Sequence, residues 1–149
     1  MNSTVSRGII VVVLITCTML VLWWVTPRPE DQGGWLVTDV LTGDTIRVTR
    51  GEDLLLVHLI GIEAPEPGAC GFDGSRDYLE SGIKGVEVVL IADAAVPEHD
   101  NAAQRYVELS GRDAGLEQVR TGNAVPDGTR HSREGPYDAA AEDAVTTCG

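Results

Sequence analysis

The chain has 149 residues, of which 43% are hydrophobic, enough for one domain with its own core and too few for two. Its 23 acidic residues outnumber 11 basic ones, giving a formal net charge of −12. That balance excludes a domain that grips polyphosphate through a basic surface, so nucleic acid is disfavoured as a partner unless metal ions intervene.

Residues 9–25 form a run of 17 without charge, ending near Trp23 and Trp24. At ~1.5 Å per residue such a helix spans roughly 25 Å, close to a hydrocarbon core of ~30 Å. The paired indoles suit the headgroup boundary. A signal-anchor transmembrane helix is expected there. Arg7 precedes it, and Pro27, Glu30 and Asp31 follow it. Residues 1–8 are therefore expected in the cytoplasm and the rest of the chain outside, as a single-pass cell-membrane protein. No small-x-small cleavage site follows the run, which argues against a cleaved signal peptide. Cys17 lies inside the run and reads as a small buried hydrophobe.

Residues 26–34, with two prolines and two glycines, read as a linker. The domain is expected over 35–149. Strands are predicted at 35–40, 45–49 and 54–62, separated by turns at 41–44 and 50–53. A helix follows over 73–83 and stops at Gly85. Further strands are predicted at 86–92 and 104–109, and further helices at 113–121 and 136–145. Five short strands with three helices point to an α+β fold built on a small five-stranded barrel of the OB type. Lys84 is the one lysine beside ten arginines, the bias of a GC-rich genome such as an actinobacterium or one of its phages.

Two segments carry the candidate chemistry: Thr42-Gly43-Asp44-Thr45-Ile46-Arg47, and His58-Leu59-Ile60-Gly61-Ile62-Glu63-Ala64-Pro65-Glu66. They place Asp44, Glu63 and Glu66 around two adjacent strands, and clustered carboxylates are what a hard divalent cation requires. Their order resembles the staphylococcal nuclease (thermonuclease) family, whose pattern is D-G-D-T followed by R-L-x-G-x-D-x-P-E. The likeness extends over about 35–145 and is strong again at 111–124.

The resemblance implies an OB-fold barrel of staphylococcal-nuclease type and Ca²⁺-dependent hydrolysis of DNA or RNA. It implies Asp44, Glu63 and the Ala64 carbonyl as metal ligands, with Ca²⁺ the cofactor. It implies Glu66 as the residue that positions the attacking water. His58 falls where the family carries its first phosphate-clamping arginine. Ala102 falls in the place of the second, and Arg105 lies three residues beyond it. Thr42 replaces the first aspartate of D-G-D, and Glu63 is one methylene longer than the aspartate it replaces. A neutral imidazole lacks the bidentate fork of a guanidinium. A phosphate-clamping arginine contributes about 10³–10⁵ in rate. Hydrolysis is therefore expected to be weakened or lost, and any Ca²⁺ to be held weakly. The alternative expectation is a non-catalytic module that binds a membrane or surface protein, phage- or mobile-element-encoded and interfering with DNA entry.

Cys70 and Cys148 both fall on the expected outer side, where thiols are oxidised. Either they pair, closing a loop worth roughly 4 kcal/mol, or they stand as two thiols. The pairs His99 with Asp100 and His131 with Glu134 have metal-ligand types but read as solvated loop charges. Ser75 has no base nearby in sequence and reads as a residue near a helix start.

Overall fold

The computed structural model describes residues 34–98 and 101–145. The expected membrane helix at 9–25, the greater part of the linker, His99, Asp100 and Cys148 lie outside the described residues. Among the described residues no helix is long and apolar enough to cross a membrane.

The fold is α+β: a closed five-stranded barrel of OB-like form with three helices. Strands β1 (Trp35–Val40), β2 (Thr45–Arg50) and β3 (Asp53–Leu59) form an antiparallel meander. Two-residue alternation sends Val37, Ile46, Val48, Val57 and Leu59 into the interior, each no more than 1% exposed. Strand β5 (Glu87–Ile91) pairs antiparallel with both β1 and β6 (Ala103–Leu109). A parallel pairing of β6 with β3 then closes the barrel. Closure removes the open edges of the meander.

The third strand ends earlier than the apolar run predicts. Gly61 takes a left-handed φ of 78° and breaks the run after Leu59. The remainder forms a separate strand, β4 (Ile62–Glu63), which pairs with β8 (Val125–Pro126) outside the barrel. A second short strand, β7 (Arg112–Asp113), folds back and pairs antiparallel with the end of β6. Both are too short to leave a sequence period. The three helices are α1 (Phe72–Ile83), α2 (Ala114–Arg120) and α3 (Glu134–Asp143).

Asp113 is the N-cap of α2: its carboxylate accepts from the N–H groups of Gly115 at 3.0 Å and Leu116 at 3.3 Å. The same carboxylate accepts from Arg133 Nη1 at 2.7 Å and from the Tyr137 hydroxyl at 3.0 Å. One side chain therefore caps a helix and ties the C-terminal segment to it.

Candidate functional site

The β1–β2 turn positions Asp44 beneath β4, where it is 8% exposed. Its Oδ1 accepts from the hydroxyls of Thr42 at 2.6 Å and Thr45 at 2.9 Å. Its Oδ2 accepts from the backbone N–H of Ala64 at 2.8 Å. Its own carbonyl oxygen accepts from the Leu59 N–H at 2.8 Å. Asp44 thus joins the turn, the end of β3 and the segment after β4.

That arrangement bears on the expected cation. An ionised carboxylate offers about four acceptor sites, and three donors of the chain itself already engage Asp44. Calcium takes about six to eight oxygen ligands. Glu63 and Glu66 are exposed, whereas Asp44 is buried. Among the described residues no three His, Cys, Asp or Glu side chains gather as a metal-binding group. The carboxylate expected to lead a calcium site thus has most of its acceptor positions committed to internal donors.

The second half of the expected site is the phosphate clamp. His58 stands on β3 with its side chain 33% exposed, and its Nδ1 lies 3.0 Å from Thr45 Oγ1 and 3.8 Å from Asp44 Oδ1. In the β3–β6 register His58 pairs with Gln104, and Leu59 with Arg105. Alternation then puts position 102 on the face of His58 and Gln104, and Arg105 on the opposite face. Arg105 is bound instead to Glu98 and to the Gln104 carbonyl. Arg47, the other arginine beside the turn, is paired with Asp39 at 2.7 Å.

Glu63, Ala64, Pro65, Glu66 and Cys70 line one wall of a cleft of about 560 Å³. Asn123, Ala124 and Val125 line the facing wall. No hydrogen bond or ion pair engages the Glu63 or Glu66 carboxylate among the described residues. The floor under this region depends on Gln118, a fully buried residue of α2 that sequence inspection does not single out. Its Nε2 donates to the carbonyls of Gly43 at 2.7 Å and Ser75 at 3.0 Å. Gly43 leaves no room for a side chain, because a Cβ there would lie 1.8 Å from Ser75 Oγ unless that group shifts. Ser75, fully buried in the first turn of α1, is thus a packing partner of the acidic turn.

His131 is not the solvated loop charge expected. It is 6% exposed, and its Nδ1 lies 2.8 Å from the Tyr106 hydroxyl. That hydroxyl also reaches Asp93 Oδ2 at 2.7 Å. Hydrogen bonds from Ser132 and Tyr106, then from the Ala95 N–H, hold the Asp93 carboxyl well below the usual carboxylate range. Arg133 packs 4.1 Å over the Tyr106 ring and pairs with Glu108 and Asp113, each at 2.7 Å. Burial, then the Asp113 carboxylate, raises the Tyr137 hydroxyl far above its ordinary value. The cluster secures α3 and contains no cleft-facing group. Glu134 is exposed at the start of α3.

Neither the models of protein families nor the curated proteins include a match to this chain.

Proposed function

We propose that this chain is a membrane-anchored, extracytoplasmic domain similar to staphylococcal nuclease, in which Ca²⁺-dependent phosphodiester hydrolysis is lost or strongly weakened. One observation carries the reading: Asp44 is occupied by Thr42, Thr45 and Ala64, while His58 and Ala102 stand where two guanidiniums are required. Removing even one transition-state donor costs about 10²–10³ in rate. The uncharged run at 9–25, with Trp23 and Trp24 near its end, supports the anchor.

The Cys70 sulfur is not a free thiol. We assign Cys148 as its partner in the same reading, since Cys17 belongs to the anchor. The bridge would tie the chain end to the loop that carries Glu66.

A protein-binding module is the second reading. Among the described residues the cleft carries two unpaired carboxylates, Glu63 and Glu66, on a chain of net charge −12. A basic surface on a membrane or cell-surface protein is the complementary partner.

The test is to incubate the full chain with single-stranded DNA, with and without millimolar Ca²⁺. The proposal expects no cleavage or only a slow residual rate. Rapid Ca²⁺-dependent cleavage, abolished by Glu66→Gln, would refute it.

A further inference from the structure

We infer that Thr45 is a positioning residue which fixes the tautomer of His58 and presents its Nε2 to solvent as a proton acceptor. The inference goes beyond the loss of hydrolysis and does not depend on it.

The protons decide the geometry. Asp44 Oδ1 is a carboxylate oxygen and can only accept. The Thr45 hydroxyl, 2.9 Å away, therefore spends its single proton on Asp44. Its oxygen is left to accept at the 3.0 Å contact with His58 Nδ1, so Nδ1 carries the ring proton. In the neutral imidazole the other nitrogen then holds a lone pair. His58 Nε2 has no hydrogen-bond partner among the described residues. It is also not one of the buried unpaired atoms, so it meets solvent.

Asp44 thus orients an imidazole through a hydroxyl, as a carboxylate behind a histidine commonly does. The consequence is a change of ligand class at the position expected to hold a guanidinium. An arginine there donates to phosphate oxygens. The neutral ring in this tautomer accepts, so it receives water, hydroxyl or ammonium groups instead.

The test uses the full chain with ¹⁵N-labelled histidine and two-bond ¹⁵N–¹H correlation spectra above the pH at which the ring is charged. His58→Gln assigns the resonances by deleting them. The expected pattern for His58 is a pyrrole-type Nδ1 and a pyridine-type Nε2. Thr45→Val should move the ring toward the Nε2–H tautomer that free histidine prefers, and Thr45→Ser should keep the original pattern. A wild-type ring that is mainly Nε2–H would overturn the inference. So would a tautomer unchanged by Thr45→Val with the remaining spectrum native, because Thr45 would then position nothing.

Discussion

The Oδ2 of Asp44 accepts the backbone N–H of Ala64 at 2.8 Å, across 20 residues of sequence. This bond joins the β1–β2 turn to the chain that enters the cleft, so the acidic turn is a joint of the fold. In Asp44→Asn one amide oxygen can still serve the two threonines, but the NH₂ group would face the Ala64 N–H. A buried bond to a charged acceptor is lost and a donor is left unpaired, a cost of about 3 kcal/mol. Urea unfolding of the variant should show that loss with or without chelator.

Gly43 supplies a second test of the same joint. In Gly43→Ala the new Cβ would lie 1.8 Å from Ser75 Oγ and 2.8 Å from Ala64 Cβ. Overpacking of this kind costs about 1–3 kcal/mol. Ser75→Ala in that background should recover only part of it, because Ser75 Cβ would still lie at 2.9 Å. Thermal unfolding of the single and double variants measures the recovery.

Much of this fold is legible in the sequence, and the reasons differ by element. Alternation in 45–48 and the Gly-bearing turns announce the meander, and Gly85 and Gly122 mark two helix ends. The parallel closure of β3 on β6 has no local signature, since it joins Val57 to Ala103 across a helix and two strands. Strands of two residues, β4, β7 and β8, exist only because tertiary pairing holds them. Asp44 and Glu66 stand out as acidic residues in turn motifs. What Asp44 does depends on Thr42, Thr45 and Ala64, and no spacing rule reveals hydroxyls that have turned inward. Gln118 was detectable in principle: it shares the i, i+3, i+4 face of Gly115 and Val119, where a buried amide NH₂ needs carbonyl acceptors. His131 looked solvated because its neighbours are polar, yet it faces Tyr106 and Tyr137.

The clamp positions make a graded prediction about activity. Position 102 lies on the face of His58, so arginines at 58 and 102 would point to one side of the sheet. The double variant His58→Arg, Ala102→Arg should still cleave single-stranded DNA less than about tenfold faster than wild type, because Asp44 remains engaged. Adding Thr42→Asp removes one of its donors and restores a charge. That triple variant should exceed the double by about tenfold or more in Ca²⁺. A fluorescence-quenched oligonucleotide assay reads both.

Arg133 joins α3 to the barrel through Glu108, Asp113 and the Tyr106 ring. Its side chain is 28% exposed, so screening reduces but does not erase the pairs. Arg133→Ala should cost about 1–3 kcal/mol. Arg133→Lys should recover less than half, because a point charge cannot bridge two carboxylates and stack. Chemical denaturation of the three proteins gives the comparison.

The same cluster sets the pH limits of stability. The Asp93 carboxyl is lowered, so its contribution is complete above the unfolded value of about 4 and is lost as pH falls through the lower folded value. Tyr137 is raised, so its contribution is complete below about pH 10 and is lost as pH rises beyond that. Asp93→Asn should flatten the acid limb and shift the alkaline limb only slightly, through the Tyr106 hydroxyl that its charge helps to raise. Tyr137→Phe should flatten the alkaline limb and leave the acid limb in place. Thermal midpoints across the pH range resolve the two limbs.

The thermal unfolding midpoint of the full chain, followed through a Ca²⁺ titration into the millimolar range, tests most directly whether Asp44 serves the chain or a cation. A ligand at 100 times its Kd stabilises the native state by about 2.7 kcal/mol. If the carboxylate belongs to Thr42, Thr45 and Ala64, the midpoint stays within about one degree throughout, and Asp44→Asn lowers it equally with and without calcium. A midpoint that climbs with Ca²⁺ in the wild type and stays flat in Asp44→Asn would contradict the account.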